Sequence, residues 1–366
     1  MTMAARRRRI IIDSDSDDEL FLDDMLQHVR SAKKIRDRPD NLEEWSEEEF
    51  FMRFRITKQT TRHLMIEIND FIKFRTDRNS AISPTNQLLL TLRYYATGGT
   101  LTSVGDFAGV HKTTAGRVVK RVSEAIAFLR PQYIKLPQTE EEIEQAQVSF
   151  FQIAAFPRVV GSMDCTHVKV KSPGGDMPEE FRNRKGYFSI NVQTVCDSKL
   201  KIRDIVARWP GSTHDVTIFN NSVLKARLER GDFRNGVIIC DSGYGPSLHL
   251  LPPFRNPRTP AENLYNEALI RTRNTVERQY GVLKARFPVL ALGIQLQLEN
   301  VQAVIVACAV LHNIAIDSNE PEPPVDLAVQ ARVIRAIEDG DIPLLQEVGG
   351  PEAARQTFVQ YFEGLR

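Results

Sequence analysis

Val159-Val160-Gly161-Ser162-Met163-Asp164 is a short run of β-branched and apolar residues that ends on an acid. Such a run reads as a strand buried on both faces, the kind found inside an α/β sheet. A second run of the same build, Gly236-Val237-Ile238-Ile239-Cys240, ends on Asp241. An acid closing a buried strand sits where the sheet opens into a crevice. Two such acids on neighbouring strands crowd negative charge, which raises a carboxyl pKa or recruits a cation. Hard oxygen donors favour magnesium or manganese. A pair of such ions activates a water and stabilises the leaving oxygen of a phosphodiester.

A third acid completes the set. Glu277 follows Asp241 by 36 positions, inside the helix-like segment RTRNTVERQYGVLKARF. There Val276, Tyr280, Leu283 and Phe287 make an apolar stripe at helical spacing, with Glu277 at its border and Arg273 and Lys284 nearby. A carboxylate at the edge of a buried face, with cations a turn or two away, suits a metal ligand beside phosphate-binding groups. It equally suits an i, i+4 ion pair with Arg273. Any one of these acids alone reads as a turn former or helix cap. His167 and His214, beside Asp164 and Asp215, leave open a zinc or manganese phosphoesterase, or support of the acids through hydrogen bonds.

The neighbouring segments fill in an α/β architecture, a mixed sheet packed by helices on both sides. Strands are expected at Val159–Met163, Ser189–Cys196, Ile202–Trp209 and Gly236–Cys240, and an apolar helix at Leu298–Ile316, in which His312 reads as a core histidine. Thr139 and Glu142 form a capping box for a helix reaching Phe156. In the loop Trp209-Pro210-Gly211-Ser212, glycine is expected to permit an unusual backbone ahead of Asp215. Arg182, Arg184 and Lys185 make a basic loop suited to a DNA backbone, or an exposed hairpin tip.

Upstream, the spacing predicts helices at Glu47–Phe54, Lys58–Phe74 and Thr85–Thr97, the last closed by Gly98 and Gly99. A short helix at Thr102–Ala108, a turn at Gly109 and a long helix at Lys112–Phe128 follow, a helix-turn-helix-like pattern. Lys112, Thr113, Thr114, Arg117, Lys120 and Arg121 face away from its apolar side. A basic, hydroxyl-rich first turn suits entry into the major groove, and also an ordinary solvated face. The division expected is a basic and acidic tail over 1–40, a helical DNA-contact domain over 41–135, a catalytic core over 136–318 and a helical tail over 319–366.

The strings GSMDCTHVKVKSP, FRNRKGYFSINVQTVCD, ARWPGSTHD, IICDSGYG, RTRNTVERQYGVLKARFPVL and CAVLHNIAI, in this order, resemble the catalytic core of PIF/Harbinger transposases and the nucleases derived from them. The likeness covers roughly residues 48–318. It implies an RNase H-like DDE core whose triad is Asp164, Asp241 and Glu277, with Asp215 as a further metal-site carboxylate. It also implies Mg2+ or Mn2+ as cofactor, DNA as substrate and a separate Myb-like partner protein. The activity expected is endonucleolytic hydrolysis of DNA by two metal ions, with Arg273, Lys284, Arg184 and Lys185 near the DNA. The alternative is a catalytically silent, DNA-binding adapter.

Composition is compatible with this. The chain has 366 residues and 42% hydrophobic content, enough for a sizeable core and about two domains. Cys165, Cys196, Cys240 and Cys308 lie in apolar runs without a CxxC pair, which reads as reduced intracellular thiols rather than a zinc site. No membrane span or signal peptide is expected. A net charge of +1 says little about DNA, because phosphate contacts depend on local charge. Arg6–Arg9, followed by the acidic serine-bearing stretch Asp13–Asp24, suits a nuclear import signal or a solvated tail; the nucleus is the expected location, with the cytoplasm second.

Overall fold

The computed structural model describes residues 41–74, 81–174, 178–322 and 353–364, so the features expected over Arg6–Asp24 lie outside the described residues. The chain is mixed α/β, with one five-stranded sheet clothed by helices. After a single helical turn at Asn41–Glu44 come α1 (Glu47–Phe54), α2 (Lys58–Ile72), α3 (Pro84–Thr97), α4 (Leu101–Phe107) and α5 (Lys112–Phe128), with another short turn at Arg130–Tyr133 behind them. Their starts follow local chemistry, since the side chains of Ser46, Thr57, Ser83 and Thr100 each accept a bond from the backbone of the first turn. Gly98 ends α3 in the left-handed region at φ 58°, as glycine allows. Between α4 and α5 the chain turns tightly at Gly109, φ 63°.

Helix α6 (Glu140–Ala154) opens with the capping box of Thr139 and Glu142. The sheet follows: β1 (Val159–Lys169), β2 (Ser189–Cys196), β3 (Ile202–Pro210), then α7 (Asp215–Asn220) and α8 (Val223–Glu229), then β4 (Val237–Ile239) and β5 (Leu250–Leu251). Strand order is β3-β2-β1-β4-β5; the first three are antiparallel neighbours, while β4 runs parallel to β1 and β5 parallel to β4. The expected end of the first strand at Met163 is corrected, for β1 continues to Lys169. Polar residues stay in it because β2 ladders with Ser162–Lys169 and takes up their backbone groups. Burial along β1 is continuous to Met163, relaxes over Asp164–His167 and returns at Val168.

After the sheet come α9 (Pro260–Arg286), α10 (Leu298–Asp317) and α11 (Ala353–Gly364). Helix α9 is a full 27 residues, opened by a capping box of Thr259 and Glu262, and its stripe Val276, Tyr280, Leu283 and Phe287 is buried. Two further apolar clusters cover opposite sides of the sheet edge. Val160, Met163, Val195 and Ile238 pack with Ile143 of α6 and with Phe219 and Leu224 of α7 and α8. Val159, Val237 and Ile239 pack with Tyr265 and Leu269 of α9 and with Phe358 and Phe362 of α11. The largest cluster joins α1–α5 to β2, β3 and α10, so the leading helices and the sheet share one core.

Among the described residues α10 is the one helix long and apolar enough to cross a membrane, and two thirds of its apolar stretch is buried inside the fold. His312 lies in it fully buried, its Nε2 2.8 Å from the carbonyl oxygen of Leu200. Next to it the Asn313 amide bonds both backbone groups of Ile202 on β3, at 2.8 and 2.7 Å, and the carbonyl of Tyr133 at 2.9 Å. The four cysteines are free thiols, three of them buried.

Candidate functional site

The parallel pairing of β1 with β4 sets Ser162 opposite Ile239. Two residues further on, Asp164 and Asp241 share a level and a face, because side chains alternate along extended chain. That face is the one on which α9 lies. The Ser162 hydroxyl reaches the Arg273 carbonyl at 3.5 Å, and Tyr280 of α9 donates its phenol to the Asp164 carbonyl at 2.6 Å. Strand β4 has three residues, so Asp164 stands where β1 loses its parallel neighbour and the sheet opens.

Helix α9 brings a counter-charge as well as a carboxylate. Arg273 donates from Nη1 to Asp164 Oδ2 at 3.2 Å and pairs from Nη2 with Glu277 Oε1 at 2.6 Å. Its side chain is 4% exposed, that of Glu277 51%. The i, i+4 ion pair is therefore present, and the same guanidinium links Glu277 to Asp164. The other oxygen of Asp164 accepts the Cys165 amide at 2.8 Å. Asp215, the first residue of α7, is held by the Asn191 amide at 2.7 Å. Burial, then the charges of Asp241 and Asp215, push the Asp164 carboxyl up to about 7, with Arg273 opposing. Asp241 is pushed up by its own burial and by Asp215.

Neighbouring acids whose charge raises the carboxyls of Asp164 and Asp241 are chemically suited to hard divalent cations. Burial pushes the neighbouring Cys165 thiol well above its ordinary range. Among the described residues, however, no three His, Cys, Asp or Glu side chains stand ready to hold a metal ion. Arg273 occupies an oxygen of Asp164 and one of Glu277.

A basic group borders the acids. Lys284 donates to the Thr166 hydroxyl at 2.8 Å, and its ammonium is pushed down to about 8 by burial and by Lys185. Arg184 lies 2.7 Å from His214 Nδ1. His167, 3.1 Å from the Ser189 hydroxyl, is held down near 4 by burial, against the pull of Asp215, and stays neutral at pH 7. Lys112, Thr113 and Arg117 are exposed at the start of α5, Thr114 is half-buried, and Arg121 stacks over Phe74 at 4.2 Å. Among the described residues no hydrogen bond or ion pair joins these five to the carboxylate group.

Tyr280, Asn191 and Thr166 were missed as site residues in the sequence reading. The usable signals were a hydroxyl on the stripe beside Glu277 and a polar Asn within the buried strand SINVQTVC. The role expected of Gly211 is corrected: its φ is not positive, and a Cβ there would meet Ser189 Oγ at 2.3 Å and the Phe181 carbonyl at 2.6 Å. Close approach, not unusual backbone, requires the glycine.

The family described as DDE superfamily endonuclease matches residues 163–313, a span that includes Asp164, Asp215, Asp241 and Glu277. "Putative nuclease HARBI1" of Homo sapiens is 34% identical over 245 residues, 66% of this chain and 70% of that protein. The protein of the same name from Xenopus laevis is 30% identical over 244 residues, with the same coverage of both chains. "Protein ALP1-like" of Arabidopsis thaliana is 23% identical over 288 residues, 73% of this chain and 70% of that protein. No solved structure matches the chain.

Proposed function

Because the chain belongs to the DDE superfamily endonucleases, among the harbinger transposase-derived nucleases, we propose that it is a DNA endonuclease that hydrolyses phosphodiester bonds with divalent metal at an RNase H-like core. The observation that supports this most is the gathering of three acids about Arg273: Asp164 and Glu277 bond it directly, and its charge opposes the raised pKa of Asp241. The hairpin β1-β2-β3 followed by parallel β4 and β5 supports the fold reading.

Asp164, Asp241 and Glu277 would hold Mg2+ or Mn2+, with Asp215 contributing beside them. When bound, the ions supply a water acidic enough to attack and a positive charge beside the leaving 3′ oxygen. The chain's own residues do the positioning. Tyr280 fixes the β1 backbone at Asp164, and Asn191 fixes Asp215. Lys284, Lys185 and Arg184 carry positive charge beside the acids and bind the DNA backbone. Lys112, Thr113, Thr114, Arg117 and Arg121 form a second contact surface on a helix-turn-helix-like unit, over the reach of backbone that α5 presents. Nuclear location rests on Arg6–Arg9.

Nicking of supercoiled plasmid by the purified chain with Mg2+ or Mn2+, against an EDTA blank, tests the activity. Metal-dependent nicking is expected, and its absence from a folded protein that binds DNA would sink the reading. Lys284→Gln is expected to weaken duplex binding and reduce the slope of log affinity against log salt by about one. An unchanged slope would remove Lys284 from the DNA.

One observation favours a second reading. With Arg273 already seated on two of the acids and no ready three-residue cluster among the described residues, the site also suits a silent adapter that binds DNA with a Myb-like partner. Mn2+ separates the two, since it raises the melting temperature of a nuclease and leaves that of an adapter unchanged.

A further inference from the structure

Arg273 is a confined cation set between two of the acids. Its guanidinium is fixed at both ends, on Asp164 Oδ2 and Glu277 Oε1, with its side chain 4% exposed. Its carbonyl is tied to the β1 residue Ser162. The remaining oxygen of Asp164 is engaged by the Cys165 amide, so neither oxygen of this acid is free of a donor. Glu277, by contrast, keeps one oxygen outside the ion pair and faces solvent.

We propose that Arg273 is a positioning residue that serves as a built-in counter-cation: it holds Asp164 and Glu277 together in the metal-free protein, competes with the divalent ion for them, and so couples metal binding to DNA binding. This rests on the nuclease reading above. A guanidinium cannot be deprotonated to make way, so it yields only by moving or by sharing an oxygen. A positive charge a few ångströms from a divalent cation in a half-buried crevice is strongly repulsive. A backbone phosphate brought to the site offers the planar fork a bidentate partner, which draws it from the carboxylates and lowers the repulsion. By linkage, metal must then tighten DNA binding by the same factor as DNA tightens metal binding. A crevice of this design loads metal poorly until nucleic acid arrives.

The competition sets the sign of the test. Loss of the guanidinium removes repulsion and also loosens the acids. The first effect is expected to dominate, because Tyr280 and Ser162 still hold the α9 and β1 backbones together. Mn2+ binding is measured by calorimetry on wild type, Arg273→Gln and Arg273→Lys at fixed ionic strength, with and without a short duplex. Without DNA, Arg273→Gln is expected to bind Mn2+ at least about tenfold more tightly than wild type. Arg273→Lys, one charge without a fork, falls between. Duplex DNA is expected to tighten Mn2+ binding by wild type severalfold and by Arg273→Gln hardly at all.

Equal or weaker Mn2+ binding by a folded Arg273→Gln overturns the inference and leaves the nuclease reading standing. No Mn2+ binding by wild type, with or without DNA, overturns the metal reading itself and the inference with it. Should Arg273→Gln fail to fold, Arg273→Lys decides: affinity and DNA coupling both equal to wild type would sink the proposal, and tighter binding with weaker coupling would carry it.

Discussion

Asp164→Asn is expected to abolish metal-dependent nicking, with a loss of at least about a thousandfold, while leaving the metal-free protein folded. The size follows from the proposed role of the residue: with Asp241 and Glu277 it would hold the divalent metal, and a neutral amide would remove negative charge that such binding needs. The stability effect runs the other way. Burial and the neighbouring acids push the folded Asp164 carboxyl to about 7, whereas an unfolded aspartate releases its proton near about 4. A raised carboxyl pKa means that the folded protein holds the proton more tightly. The metal-free protein therefore loses this contribution as pH rises from about 4 to about 7. Asn cannot lose it, so the variant's melting temperature should equal or exceed wild type above pH 7. On the proposed metal reading, added Mn2+ would replace the proton, and its stabilisation of wild type should grow between about pH 6 and 8. Melting curves with and without Mn2+ across this range check both signs. A variant that nicks like wild type, or that is still stabilised by Mn2+, would remove Asp164 from the site.

Asn313→Leu is expected to be the most destabilising single change away from the acids. Its amide completes both backbone groups of Ile202 on the sheet-edge strand β3, and the carbonyl of Tyr133 ahead of α6. Leucine nearly matches the volume and supplies none of these bonds. Three backbone groups buried without partners cost about 1–3 kcal/mol each, less what relaxation and water recover, so a total of about 3–5 kcal/mol is expected. Denaturant unfolding measures it, and a loss under about 1 kcal/mol would mean that the ladder and helices satisfy those groups otherwise. Because the same amide ties the leading helices to the sheet, the two should unfold together in wild type.

Much of this was legible in advance where local chemistry is self-contained. The capping box at Thr139 and Glu142, the stripe from Val276 to Phe287 and the buried run of β2 each state their structure within a few residues. What stayed hidden depends on partners remote in sequence. Nothing in Asp164–Lys169 announces a strand, and only the ladder with β2 makes it one. Strand β5, two leucines, has no local signal beyond being apolar. The first half of α9 reaches beyond the segment expected as helix, although Thr259 and Glu262 mark its start and Ala261, Tyr265, Ala268 and Leu269 are buried at helical spacing. For the site, the strand-end acids were readable as candidates, but the bidentate seat of Arg273 across Asp164 and Glu277 was not, because i, i+4 spacing to Glu277 says nothing of Asp164, 109 positions away.

The pairing of Ser162 with Ile239 also says which intervals along the chain are rigid. An insertion of one residue between Ile239 and Asp241 would turn the acid to the opposite face of the sheet, and no adjustment of loops would restore it. The loops on either side of β5, between Asp241 and Pro260, are under no such rule, since β5 keeps its own pairing with β4 and α9 takes its place from its own contacts with β1 and its own capping box. Among distant relatives, the count from strand to second acid should therefore be invariant, while the count from second to third acid drifts. A search pattern built on fixed spacing between those last two would overlook true kin.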